Sequence, residues 1–293
     1  MIEKKTLGGT VFDTFNAILL TGLSLITIYP FWYIIVASFS DVDRLEYYVG
    51  LLFSPLGFSL DSYRAVLGNP RIYTGYKNTL MYVVFGTAIN IFMTSLGAYV
   101  LSRRNYYWKK LVMKMVVFSM YFSGGLVPMY LLMRELNLYN NIWAIILPGA
   151  IGTWNLIIMR TSFMAIPYEL EESAKIDGAN DLVVLFRIIL PLSLPVIAVM
   201  VLYYGVGHWN AWFNAMIYLR DAELHPLQLI LKEILLQNDI TNMRGDSVGA
   251  DEVKTAEALK YATIMVSTVP ILMAYPFLQK YFVKGVMVGA LKG

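Results

Sequence analysis

The chain has 293 residues, of which 58% are hydrophobic and 15% are charged, and its mean hydropathy is +0.58. Soluble domains usually carry about 25% charged residues, so this composition indicates a protein of the lipid bilayer. A net charge of +3 is too small to indicate a nucleic-acid partner. The lack of cysteine excludes disulfides and thiolate metal sites, and two histidines without an HExxH pattern predict no metal site.

Six long stretches contain no Asp, Glu, Lys or Arg, and they are residues 14–40, 78–102, 115–133, 136–159, 188–219 and 261–279. A transmembrane helix needs about 20 apolar residues. The stretches predict an all-α integral membrane protein with one domain, residues 1–293. An even number of spans places both termini on the same side of the membrane. The predicted spans are residues 14–40, 78–102, 112–133, 138–160, 188–219 and 261–280.

Basic residues give the orientation. The segment "SRRNYYWKK", residues 102–110, lies between the second and third spans, and both chain termini carry lysines. Short loops rich in Lys and Arg stay in the cytoplasm, so we expect both termini and this segment to be cytoplasmic. The long loops 41–76 and 220–260 then lie outside.

Proline and glycine recur within the spans, for example at Pro30, Gly125, Pro128, Pro148 and Gly207. Such breaks occur in lipid where neighbouring groups satisfy the freed backbone. They indicate either ordinary kinked packing with small residues at helix contacts or broken helices that line a substrate route.

A charged segment, residues 164–191, interrupts the apolar sequence between the fourth and fifth spans. Pro167 suits the first turn of a helix, and the acidic residues that follow suit its positive end. We expect this helix to end at Gly178, where a left-handed residue is easiest for glycine. Asn180 or Asp181 can cap a second helix, which Pro191 closes.

This helix pair has two interpretations. Glu172 and Asp177 offer charge to a protein partner, while Ser173 and Ala174 are small enough for close approach. Alternatively, the pair lies on the membrane surface without a partner. Interfacial helices favour Lys and Arg on the polar face, and this stretch is mainly acidic, which favours the protein partner.

The pattern Glu172-Ser173-Ala174, then Gly178, then Ile188-x-Leu190-Pro191 resembles the EAA loop of permease subunits in type I ABC importers. Serine at 173 stands where the family usually has alanine. "SGGLVPMYLLMRELNLYNN" and "HWNAWFNAMIYL" are similar to segments of carbohydrate importers of the maltose-transporter type. The ending "QKYFVKGVMVGALKG" is similar to their C-terminal tail, which reaches the ATPase interface and here contains Lys284 and Gly285.

The resemblance implies the type I importer permease fold, with a cytoplasmic coupling helix between the fourth and fifth spans. It implies an ATP-driven, binding-protein-dependent uptake of an oligosaccharide across the bacterial cytoplasmic membrane by alternating access. The implied partners are a second, non-identical permease, two ATPase subunits that hold ATP and Mg²⁺, and an extracytoplasmic solute-binding protein. The implied coupling residues are Glu171, Glu172, Ser173, Ala174, Asp177, Gly178, Leu190 and Pro191.

The fifth span is the most polar and aromatic. Asn210 and Asn214 are four residues apart, so we expect them to share a helix face with Tyr203. Amides and aromatic rings hold sugars well, which predicts a substrate path. The alternative is an interfacial aromatic belt with asparagines that bridge helices. The remaining candidates for the path are Trp209, Trp212, Asn155 and Asn90.

Two other classes of protein fit less well. An ion-coupled secondary transporter needs titratable groups within its spans, and the six stretches contain no carboxylate or lysine. A membrane enzyme needs a catalytic constellation, and none occurs at a plausible depth. The chain has no GxxxxGK[ST] loop, so we expect it to be no enzyme and to hold no cofactor itself.

Overall fold

A computed structural model describes residues 7–244, 259–273 and 276. The regular structure in these ranges is helical, and the one β feature there is an isolated bridge between Ser40 and Phe58. The all-α prediction is therefore confirmed for this part of the chain. The chain forms two compact units, one from 1–69 and 234–268 and the other from 70–233 and 269–293.

Most of the described helices follow one another with short connections, although 14 residues, 47–60, separate α2 from α3. Two π-helical turns, Tyr82–Gly86 and Leu185–Ile189, continue neighbouring helices, and a 3-10 turn covers Ala222–Leu224. The α-helices are α1 Leu7–Ser38, α2 Val42–Glu46, α3 Asp61–Gly68, α4 Pro70–Met81, α5 Thr87–Ser102, α6 Lys109–Tyr121, α7 Leu126–Glu135, α8 Trp143–Ile146, α9 Thr153–Met164, α10 Glu169–Ile176, α11 Asp181–Val184, α12 Leu190–Leu192, α13 Leu194–Trp209, α14 Phe213–Tyr218, α15 Leu227–Arg244 and α16 Leu259–Met273.

The first unit is dominated by α1, a 32-residue helix whose most apolar stretch is fully exposed. Hydroxyl groups along it bond to carbonyls one turn back, as Ser24 Oγ does to Leu20 O at 2.8 Å. Among the described residues, the side-chain contacts that tie α1 to the rest of the unit include those of its C-terminal turns. There Trp32 Nε1 donates to Phe53 O at 3.1 Å, and Val36 lies in a small apolar cluster.

In the second unit, α4, a π turn and α5 form one continuous helix, 33 residues long. At 1.5 Å per residue it measures about 50 Å, more than the ~30 Å hydrocarbon core of a bilayer. With α1 it is one of two described helices that are unbroken, long and apolar enough to cross a membrane.

The other predicted spans are broken. The third bends by 115° between α6 and α7, where Gly125 has a φ of +86°, and the fifth bends by 86° at Ser193. Pro195 has no N–H to continue the helix across that bend. Residues 147–152 separate α8 from α9 in the fourth span. Of the two alternatives for the proline and glycine breaks, broken helices describe the third, fourth and fifth spans. The count of six spans stays a prediction, because the part of the sixth span after Met273 lies largely outside the described residues.

The main apolar core of the second unit joins α5, α9, α13 and the π turn at Leu185–Ile189. It includes large side chains that are fully buried, among them Phe163, Met159 and Met200, each 0% exposed. This core surrounds the C-terminal parts of α5 and α9, and Ala174 of the charged helix α10 packs against it.

Helix α13 approaches the π turn very closely at Gly86. A Cβ atom at Gly86 would lie 2.5 Å from Nε2 of His208. A Cβ at Gly205, which like His208 belongs to α13, would make an ordinary contact of 3.8 Å with Thr87. Because Gly86 has no side chain, the His208 imidazole fits against the π turn, and a Cβ atom at position 86 would displace it.

We predict that Gly86→Ala lowers the thermal unfolding temperature of the protein in lipid nanodiscs, because His208 must move out of its site. The expected cost is about 1–3 kcal/mol, as for other overpacked interiors. Gly205→Ala is the control and should have little effect, so an equal loss in both variants would contradict the close contact.

Candidate functional site

The charged segment forms the predicted helix, turn and second helix. Helix α10 ends where Gly178 adopts a φ of +85°, and Gly178 N–H donates to Lys175 O at 3.1 Å. Asn180, rather than Asp181, caps the next helix, because its side chain accepts from Val183 N–H at 2.9 Å. The expected helix end at Gly178 is confirmed.

Glu171 points into the protein. Its side chain is 2% exposed and forms ion pairs with Arg103 and with Lys175, the latter at 3.0 Å. Arg103 also donates to Ser102 Oγ at 2.9 Å and to Phe163 O at 3.3 Å. One guanidinium therefore joins the ends of α5 and α9 to α10.

A second set of contacts holds the turn. Lys175 Nζ lies 3.1 Å from Asp181 Oδ1, and Tyr99 donates its hydroxyl to the same oxygen at 3.3 Å. Hydrogen bonds with Glu171, and next with Asp181, raise the pKa of Lys175 above its usual value. A lysine is already charged at physiological pH, and the raised pKa keeps Lys175 charged, and these contacts in place, in more alkaline solution as well.

The opposite face of α10 is open. Glu172, Ser173 and Asp177 are exposed, and Ile176 is 81% exposed. An isoleucine this exposed beside acidic residues offers both apolar area and charge to a binding partner. Glu171, which the sequence grouped with these residues, does not belong to this face.

The remaining residues of the coupling set lie near the core. Ala174 and Leu190 are half-buried against the main apolar core, and Pro191 is exposed just before the bend in the fifth span. They position α10 and α12 on the bundle, while the face described above remains accessible.

The candidate path residues do not form one surface. Helix α13 ends at Trp209, so Asn210 is its C-cap, whereas Asn214 lies in α14. The expectation that these asparagines share one helix face is therefore wrong. Both are exposed, as is Tyr203, and Trp212 is half-buried beneath Lys232 Nζ at 3.0 Å from the ring centre.

The other candidates lie inside the bundle. Asn90 is fully buried, donates to Gly149 O at 2.5 Å and contacts Nε2 of His208 at 2.6 Å. Trp209 is also buried, at 8% exposure, and Asn155 is half-buried. The environment of Asn90 and Trp209 is that of helix packing.

Asn90 is part of a wider pattern at the break between α8 and α9. Tyr204 OH accepts from Gly152 N–H at 2.9 Å and lies 2.7 Å from Thr94 Oγ1. Side chains of α5 and α13 thus satisfy two backbone groups of the connector 147–152, Gly149 O and Gly152 N–H.

Sequence reasoning used Arg103 for orientation and did not identify it as a partner of Glu171. A signal existed, because a basic residue at the end of one span faces an acidic helix at the end of another. His208, the single histidine in a long apolar stretch, was a comparable signal for the contact with Asn90. Lys284 and Gly285 lie outside the described residues.

We predict that Glu171→Gln destabilises the protein, because Arg103 and Lys175 lose their shared carboxylate. The expected cost is about 3 kcal/mol, the lower end for breaking a buried ion pair, since Lys175 is partly exposed. Glu172→Gln changes the same charge on the exposed face and should stay within about 0.5 kcal/mol. Thermal unfolding in nanodiscs compares the two, and equal losses would contradict the distinct roles of these glutamates.

The chain is similar to known proteins over most of its length. Residues 93–288 match the family described as the binding-protein-dependent transport system inner membrane component. Protein LplC of Bacillus subtilis is 43% identical over 98% of this chain and 97% of its own length. The polygalacturonan/rhamnogalacturonan transport system permease protein YtcP of the same organism is 43% identical, over 92% of this chain and 94% of its own.

A solved structure has the same fold. A chain of a bacterial ABC transporter involved in the import of the acidic polysaccharide alginate superposes with a TM-score of 0.85. It is 31% identical, and the match covers 95% of this chain and 99% of that one. The chain described here therefore belongs to the family of binding-protein-dependent transport system inner membrane components, and it is an importer permease.

Proposed function

We propose that the chain is the membrane-spanning subunit of an ATP-driven importer for an oligosaccharide, with α10 as its coupling helix. The observation that carries the proposal is the two-sided construction of α10. One side is held to α5 and α9 by Glu171 and Arg103, and the other presents Glu172, Ser173 and Ile176. Force applied to the outer face would pass into the bundle.

The proposed orientation places α10 in the cytoplasm. Arg103 belongs to the basic segment 102–110 and contacts Glu171, so that segment and α10 lie at one end of the bundle. Basic segments of short loops are retained inside. With six passes in total, some of them bent, both termini lie on the cytoplasmic side.

Contacts at the other end favour an extracytoplasmic docking surface. Asn140 Oδ1 accepts from Arg220 N–H at 2.9 Å, which joins the connection before α8 to the one after α14. Asn78 donates to the carbonyl of His225 at 3.0 Å and ties the start of the long helix to the same region. A solute-loaded binding protein would dock over these loops.

The proposed mechanism is alternating access driven by separate ATPase subunits, which hold the ATP and Mg²⁺. Closure of the ATPase pair would carry α10 with it and reopen the bundle outward. A conformational equilibrium moves only by the difference in contacts between its states. A few kcal/mol from α10 and its docking site would give a large shift in population.

A second, non-identical permease would complete the translocation pathway. The exposed apolar surface of α1 supports this partner as well as surrounding lipid, because few of its side chains are covered within the described residues. Asn210, Asn214 and Tyr203 are the path residues that are open to a solute in this arrangement.

The proposed substrate is an oligosaccharide. One relative is named for polygalacturonan and rhamnogalacturonan, and the structural relative for alginate. The complex with its ATPases should hydrolyse ATP faster when a binding protein delivers the correct glycan. Alginate, polygalacturonate and neutral glucan oligomers should be compared, and transport by the purified chain alone would overturn the proposal.

We predict that Gly178→Val uncouples ATP hydrolysis from uptake. A β-branched residue at φ +85° has backbone strain of roughly 1–2 kcal/mol. The protein can relieve this strain by shifting the turn, and α10 would then shift with it. Uptake should fall about tenfold while hydrolysis continues. Gly178→Asn is the control, because asparagine tolerates left-handed backbone and no atom obstructs a Cβ there. Normal coupled uptake by the valine variant would refute the role of α10 as the coupling helix.

We also predict that Asn214→Leu lowers uptake of the cognate oligosaccharide about fivefold, the effect of one lost hydrogen bond of ~1 kcal/mol. The complex should assemble normally, since the side chain is exposed. Asn214→Gln retains the amide and should restore part of the rate. Unchanged uptake in the leucine variant would exclude Asn214 from the path.

A further inference from the structure

A cavity of about 310 Å³ lies between the end of α5, helix α10 and helix α11. Four of its lining residues are apolar: Leu96, Val100, Leu182 and Leu185. Others are polar or charged, among them Arg104, Lys175 and Tyr168. Its size is at the lower end of small-molecule sites, and its lining combines apolar and charged side chains.

The charges around this α5–α10 cavity do not cancel. Lys175 is paired with Glu171 and Asp181, and Arg103 is paired with Glu171. The guanidinium carbon of Arg104 lies 5.2 Å from the centre of the Tyr168 ring. Among the described residues, Arg104 forms no ion pair with a carboxylate. The lining therefore has three cations and two carboxylates, an excess of one positive charge.

The place of the cavity in the fold limits what enters it. Leu96 and Val100 belong to the last turns of α5, Leu182 to α11 and Leu185 to the π turn after it, whereas Arg104 lies in the basic segment after α5. A ligand that suits this lining has an apolar part beside Leu96 and Val100 and a single negative charge beside Arg104. Anionic phospholipids of the cytoplasmic leaflet have this chemistry.

We propose that the α5–α10 cavity binds the phosphate headgroup of an anionic phospholipid, with Arg104 as the cation that is free to pair with it. The proposal rests on the cytoplasmic orientation given above. Because Lys175, Glu171 and Asp181 also line the cavity, the bound lipid lies against the contacts that hold α10. The membrane composition would then affect how firmly the coupling helix is held.

The test uses the assembled transporter in nanodiscs of phosphatidylcholine alone or with phosphatidylglycerol. Native mass spectrometry counts retained lipids, and thermal unfolding measures stabilisation. Removal of one cation near a membrane surface costs about 1 kcal/mol, so Arg104→Gln should weaken phosphatidylglycerol retention about fivefold. Lys110→Gln is the matched control, because Lys110 is exposed in the same basic segment and does not line the cavity.

Selective loss in Arg104→Gln, with retention preserved in Lys110→Gln, would support the site. Equal losses in both variants would overturn it and indicate diffuse attraction of the basic segment for the membrane. A separate experiment adds inorganic phosphate to phosphatidylcholine nanodiscs. If phosphate alone gives the full stabilisation, the proposal that a lipid occupies the cavity is overturned. Lipid retention is measured without transport, so failure of the proposed importer function would leave this result unaffected.

Discussion

The structure depends on one buried carboxylate. Glu171 has almost no contact with solvent, and an isolated charge in such a place would cost several kcal/mol. Arg103 and Lys175 make it tolerable, and Arg103 extends the connection to Ser102 and Phe163 O. The ends of α5 and α9 and the whole of α10 therefore share one charge network.

This arrangement makes the position of α10 a property of the bundle. A helix held by surface contacts alone could shift without disturbing the spans, because exposed ion pairs contribute little. Moving α10 away from α5 would instead leave charges without partners in a poorly hydrated place. The open face, with Glu172 and Ile176, is free to engage another protein without weakening that attachment.

The same physical problem, an unsatisfied polar group away from water, explains the polar residues deeper in the bundle. The connector 147–152 interrupts a predicted span, and its backbone groups need partners. Asn90 and Tyr204 provide them, through Gly149 O and Gly152 N–H. Asparagine and tyrosine at these depths therefore serve the fold, and their polarity alone does not identify a solute path.

Structural features that depend on neighbouring residues could be predicted from the sequence better than features that depend on residues far apart in the chain. The end of α10 at Gly178 follows from one residue and its backbone preference, so it could be predicted. The bends near Gly125 and Ser193 had visible signals in glycine and proline, but a bend angle depends on packing. Glu171 and Glu172 are adjacent and identical in type, and one of the contacts that distinguish the buried Glu171 comes from Arg103, 68 positions away. The separation of Asn210 from Asn214 likewise required knowing that α13 ends at Trp209.

Helix α1 combines a largely exposed apolar length with hydroxyls that bond back along their own helix, and the side-chain contacts described above lie in its turns around Trp32 and Val36. The hydroxyls of Thr14, Ser24 and Thr27 bond to the helix's own backbone, so they do not turn one particular side of the helix toward a neighbour. Lipid or a second protein around this length therefore has a large part in setting its direction in the bilayer, with the C-terminal turns acting as the pivot.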